Sequence, residues 1–135
     1  MACLFCKIIA KEIPAEIVFE NEYALAFLDI GPVSEGHTLV IPKNHAEDLS
    51  AGTEEDAREI MAVVHILAPK IMKALGADGY NLGMNHGVSA GQDVMHTHLH
   101  IMPRKNGIPR TFTKQNPSKE ELATTAGKIR MMVGL

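Results

Sequence analysis

The chain has 135 residues, enough for one domain with a real core and too few for two comfortable ones. Hydrophobic residues make up 46% and charged residues 21%, which excludes a disordered chain. The net charge of −3 argues against a nucleic-acid backbone as the main partner. No apolar run approaches membrane-spanning length, and Met1-Ala2-Cys3-Leu4 lacks the basic start of a signal peptide, so a cytoplasmic protein is expected.

Cys3 and Cys6 form a Cys-x-x-Cys, and these are the chain's two cysteines. One pair makes no disulfide framework. Half a zinc site, a redox pair, or two small apolar anchors all remain open; a four-ligand zinc site would need two histidines. Phe5, Ile8, Ile9 and Ile13 fall at roughly helical spacing, which predicts a short helix within 3–13 halted by Pro14. Ala15 to Glu20 alternates as a strand, Asn21-Glu22 turns a hairpin, and Tyr23 to Ile30 is its return strand. Gly36-His37 leads into a buried strand, Thr38 to Ile41, ended by Pro42, with Pro42 to His45 as a loop.

Thr53 followed by Glu54, Glu55 and Asp56 reads as an N-cap with acids in the first turn. Ala57, Ile60, Met61, Val64, Leu67, Ala68, Ile71, Met72 and Leu75 then recur at the helical period. Pro69 should kink this long helix, and Gly76 should cap its end. Gly79 to Asn85 is a fourth strand and His86 to Gly91 a loop. Ser118 with Glu121 forms a capping box that opens a last helix through about Met132. The fold expected is α+β: a five-stranded antiparallel sheet with one long helix and short terminal helices. Exposed sheet edges invite a second copy, so a homodimer is expected.

The fifth strand, within 91–103, carries the chemistry. His96, His98 and His100 are three of the seven histidines, set at every second position and stopped by Pro103. On a strand that spacing points all three rings to one face. On a straight strand, Cα atoms of His96 and His100 would lie about 13 Å apart. Zinc–nitrogen bonds of about 2.0–2.1 Å do not span such a row. A row of imidazoles suits an extended group such as a phosphate, with the end ring free to serve another site. A polar strand edge is the bland alternative.

His-x-His-x-His followed by apolar residues, with Gly36-His37 before an apolar strand and Phe27-Leu28-Asp29-Ile30, resembles the histidine triad family of nucleotide hydrolases and transferases. The likeness runs from Cys3 to Arg104, as one domain with a core at 3–104 and an extension at 105–135. It is nearest to prokaryotic-type members with an N-terminal Cys-x-x-Cys and a Pro-Arg after the triad.

The resemblance implies roles for individual residues. His98 would attack an α-phosphorus, giving a nucleotidyl-histidine that water hydrolyses. His100 and His37 would stabilise the phosphate charge, although a hydrogen-bonded core histidine also explains His37. Asp29 would accept from both ribose hydroxyls; Phe5, Ile8, Phe27, Ile30 and Leu39 would form a slot for the base, or ordinary core. Asn85, Gln92 and Asp93 would sit near the phosphate or leaving group, although a strand-end asparagine satisfying a turn also explains Asn85. Asp93 stands where a hydroxyl residue is common in the family, and a carboxylate there is repulsive unless turned away. His96 would belong to the catalytic row with His98, His100 and His37; Cys3 and Cys6 would also hold zinc with His45 and His96, and a zinc-bound His96 would be a poor general acid. His65 and His86 are read as surface.

The function implied is cleavage of purine nucleoside 5′-phosphoramidates or related compounds to the nucleoside monophosphate. Dinucleoside polyphosphate hydrolysis or phosphorolysis, a nucleotide-binding regulatory partner, and a zinc-stabilised interaction module are the rivals.

Overall fold

A computed structural model of the chain describes residues 3–134. Helix α1 spans Leu4–Ile9, and strands β1 Ile17–Glu20, β2 Ala24–Leu28 and β3 Thr38–Pro42 follow. Helix α2 covers Glu54–Leu75; then come β4 Gly79–Gly83, β5 Leu99–Arg104 and α3 Lys119–Val133. The five strands form one sheet in the order β1-β2-β3-β5-β4, every pair antiparallel.

Local signals explain the helix boundaries. Thr53 caps α2 by accepting from the Asp56 N–H, and Gly76 closes it in the left-handed conformation at φ 69°. Ser118 and Glu121 make the reciprocal capping box of α3. Pro69 lies on the exposed face of α2, which runs unbroken through it. Val63 joins the buried stripe, whereas Met61 is half exposed.

Strands β2 and β3 are buried on both faces. Ala24, Ala26, Leu28 and Val40 face α2 and α3, packing with Leu67, Ile71 and Ile129. On the opposite face Leu25, Phe27, Leu39 and Ile41 pack with Phe5 and Ile8 of α1. Register then sets one row across that second face, because Phe27 pairs with Leu39, Leu39 with His100, and His100 with Gly83. An apolar floor thus runs directly into an imidazole.

The triad segment departs from the expected strand. Strand β5 begins only at Leu99, and 94–96 is a bend. His96 therefore leaves the row and turns toward α1, so the three rings do not share one face. Proline does not stop the strand either: Pro103 pairs with Tyr80, in a part of β5 where β3 no longer runs alongside. Strand β4 ends at Gly83, two residues before Asn85.

Candidate functional site

Two clusters meet at the start of β5. The first is Cys3, Cys6, His45 and His96, whose donor atoms all lie within 4.8 Å of one another. Cys6 Sγ is 3.4 Å from His45 Nδ1 and 3.6 Å from His96 Nδ1. Cys3 Sγ is 3.5 Å from His96 Nδ1, and the two Nδ1 atoms are 3.2 Å apart. A tetrahedron with Zn–N of about 2.0–2.1 Å and Zn–S of about 2.3 Å has N–N edges of about 3.3–3.4 Å and N–S edges of about 3.5 Å. The observed spacings match those edges.

The tautomer also fits a metal. His96 Nε2 donates to the Pro42 carbonyl at 2.8 Å, leaving Nδ1 unprotonated toward the sulfurs. Burial lowers the pKa of His96, which keeps it neutral. Burial, with Cys3 beside it, raises the thiol pKa of Cys6. Backbone ties hold the loops in place: Thr97 N–H donates to the Ala46 carbonyl at 2.9 Å.

The second cluster is built on a chain of hydrogen bonds whose direction can be read. Val33 N–H donates to His37 Nδ1 at 3.0 Å, so the proton of that ring lies on Nε2. His37 Nε2 then donates to His100 Nδ1 at 2.8 Å. His100 is left with its proton on Nε2, a donor. Both rings are neutral in this arrangement. Burial and the neighbouring His100 push His37 down to about 3, and burial with the neighbouring His98 pushes His100 down to about 4. Asp29, His37 and His100 also present close ligand atoms. However, both nitrogens of His37 are already committed to hydrogen bonds, so this triplet is a proton-ordered relay.

His98 is the third ring. Its Nδ1 donates to the carbonyl of His96 at 2.7 Å, which leaves the Nε2 lone pair free. That Nε2 lies 3.7 Å from an Asp93 carboxylate oxygen. Phe5 sets its edge against His98, with ring centroids 5.2 Å apart, and against Phe27 at 5.4 Å.

His98 and His100 line a cavity of about 320 Å³ together with Phe5, Ile8, Phe27, Asp29, Ile30 and Leu39. Its floor is apolar and its polar groups gather at one end. A somewhat larger cleft of about 370 Å³ lies beside it, against the first turn of α3. It contains Asp29 and His37 but neither His98 nor His100, so the smaller cavity is the one with the free imidazole nitrogen. Asp29 accepts from Gly31 N–H at 2.9 Å, and burial raises its pKa. Ile30 is 78% exposed, so it forms a rim and no part of the core.

Asn85 and Asp93 line an adjoining cleft with His37 and His100, and Asn85 donates to the Gly91 carbonyl at 3.3 Å. Gln92 does not line these cavities. Its amide is buried and saturated, accepting from Gly87 N–H at 2.8 Å and donating to the carbonyls of Val94 and Glu47. The loop's own backbone groups needed those partners, and the side chain was the nearest supply. His65 is exposed, while His86 lies 3.3 Å from Asp48. Two contributors have no sequence signal of their own: the Val33 N–H that orders the relay, and Lys114, which lines both the cavity and the adjoining cleft.

Comparisons with known proteins agree with this architecture. A family model described as HIT domain matches residues 10–107. An uncharacterized HIT-like protein of Methanocaldococcus jannaschii is 48% identical over 105 residues, 78% of this chain and 81% of that one. An adenosine 5′-monophosphoramidase of Schizosaccharomyces pombe is 43% identical over 106 residues, 78% of this chain and 77% of its relative. Among solved structures, a zinc-bound histidine triad family protein from Mycobacterium smegmatis has a TM-score of 0.90 at 37% identity, covering 99% of this chain and 94% of that one.

Proposed function

The chain belongs to the HIT domain family, and from that membership we propose that it is a nucleotide hydrolase releasing a nucleoside monophosphate from α-phosphate-linked purine nucleotides, phosphoramidates foremost. The observation that carries this is the fixed tautomer of His98, with Nδ1–H held by the His96 carbonyl and a free Nε2 beside the cavity. The Schizosaccharomyces pombe relative, named an adenosine 5′-monophosphoramidase, supports the substrate class.

The reaction has two steps. The His98 Nε2 lone pair forms an N–P bond to the α-phosphorus while the bond from phosphorus to the leaving group breaks. The departing pair of electrons goes to that group, and an amine must also gain a proton. Water then adds to phosphorus, leaving one of its protons on the phosphate and giving the other to solvent, while the N–P pair returns to Nε2 and neutral His98 is regenerated. The developing imidazolium is stabilised through Nδ1–H and the His96 carbonyl. His100 donates from Nε2 to a phosphate oxygen, and His37 holds His100 in the required tautomer. The apolar slot takes the base, Asp29 accepts from the ribose hydroxyls, and Asn85 and Asp93 border the phosphate.

Cys3, Cys6, His45 and His96 hold zinc in this reading, an ion that when bound supplies a structural cross-link and no chemistry. Those four residues tie α1 to the triad segment and so keep Phe5 against His98. A second copy pairs along the β4 edge, where Tyr80 and Leu82 are exposed. No helix among the described residues is long and apolar enough to cross a membrane, and a reducing cytoplasm suits the two free cysteines. The test is turnover of an adenosine 5′-phosphoramidate. Wild type should release AMP and His98→Ala should not; equal nucleotide binding with no turnover in either would make the protein a nucleotide sensor.

A further inference from the structure

We propose that Lys114, delivered by the segment after β5, reads the charge of the leaving group, and that Asp93 holds it in place between turnovers. Lys114 lies beyond the stretch matched by the family model, which ends at residue 107. The segment that carries it is nevertheless anchored on both sides, with the Lys114 side chain itself exposed. Arg104 donates to the Thr111 carbonyl at 2.9 Å and sits 5.1 Å from the centre of the Phe112 ring. Gln115 N–H donates to the Pro32 carbonyl at 2.8 Å. Between these anchors the Lys114 stem passes over Gly31, where an added Cβ would lie 3.5 Å from Lys114 Cδ.

The ammonium therefore arrives where the base cavity meets the phosphate cleft. It stands 3.7 Å from one oxygen of Asp93, whose other oxygen is 3.7 Å from His98 Nε2. Among the described residues lining those two cavities, Lys114 is the one lysine or arginine, and His37 and His100 are neutral. Asp29 and Asp93 supply negative charge to the same space. An incoming nucleotide adds more, so a leaving group that departs as an anion meets two carboxylates and one compensating cation.

Resting on the hydrolase reading above, two consequences follow for specificity. Substrates that expel sulfate or phosphate depend on Lys114, which exchanges the Asp93 carboxylate for the departing anion. Substrates that expel an amine after protonation create no new anion and depend on it less, while the Asp93 carboxylate favours a group that carries a proton. Lys114 is thus a specificity residue brought to the triad by the segment after β5.

The experiment is steady-state kinetics with two probes that share the adenylyl group, an adenosine 5′-phosphoramidate and adenosine 5′-phosphosulfate. For Lys114→Gln the ratio of kcat/KM for the sulfate probe over the amine probe should fall about threefold to fivefold, the scale of one charge pair at a largely exposed site. Lys114→Arg should recover most of it, and Asp93→Asn should move the ratio the opposite way. A purely structural Lys114 would lower both probes together and leave the ratio within about twofold; that overturns the assignment, as does a wild type that cleaves the amine probe alone. Failure of wild type on both probes would instead defeat the hydrolase reading itself.

Discussion

Gly36→Ala offers a sharp test of how the fold aims His37. Gly36 has φ 85°, and a Cβ there would come closer than 3.0 Å to Leu75 Cδ1, with Pro103 Cγ and Ile71 Cγ2 at 3.4 and 3.6 Å. The left-handed conformation alone costs an alanine about 1–2 kcal/mol. Displacing the buried Leu75 side chain adds about 1–3 kcal/mol of overpacking. The total of about 2–5 kcal/mol should lower Tm by roughly 8–20 °C for a domain of this size. Gly76→Ala is the control, since φ is 69° there but an added Cβ meets nothing within 4 Å. It should cost about 1–2 kcal/mol. Urea and thermal melts of both variants measure the difference. Activity should fall with Gly36→Ala as well, because the adjoining His37 is bonded through its own peptide to Ser34 and Asp29. Equal destabilisation by the two substitutions would refute the close packing of Gly36 on α2.

Two further outcomes can be measured. His37 has a folded pKa of about 3 against about 6.5 when unfolded, so the unfolded chain binds the extra proton as pH falls. Stability from this group is complete above about pH 6.5 and is lost toward pH 3, reaching roughly 2 kcal/mol at pH 5. Urea midpoints at pH 7 and pH 5 should therefore drop by that much more in wild type than in His37→Gln; parallel losses would show that the ring is not held neutral. Metal analysis of wild type should give about one zinc per chain, and Cys6→Ser should lose it and lower Tm. A metal-free wild type with the same Tm as the variant would remove the zinc assignment.

Short-range signals carried most of the fold. Thr53, Ser118 with Glu121, and the apolar stripe from Ile60 to Leu75 announce their helices through contacts within one or two turns. Such contacts depend on neighbouring residues, so a sequence displays them. Alternation was less reliable at the triad: 96–100 has the period of a strand, yet the chain bends at 94–96 and sends His96 to the cysteines. That bend answers donors about ninety residues away, and no local pattern encodes it. The grouping of Cys3, Cys6, His45 and His96 was legible only through the family resemblance. Gln92 illustrates another limit, since sequence gives an amide but not its direction, and the unpaired backbone of the loop claimed it. Lys114 had no signal at all, because its place follows from how Arg104, Phe112 and Gln115 fold the extension back.

Nucleophilic attack by His98 is tested most directly by quenching the enzyme in acid-free denaturant within milliseconds of mixing with an adenosine 5′-phosphoramidate, followed by intact-mass and peptide mapping. An adenylyl adduct on the peptide bearing His98, present in wild type and missing in His98→Ala, is the expected result. Rapid AMP release with no adduct at any quench time, or an adduct that persists in His98→Ala, would contradict it.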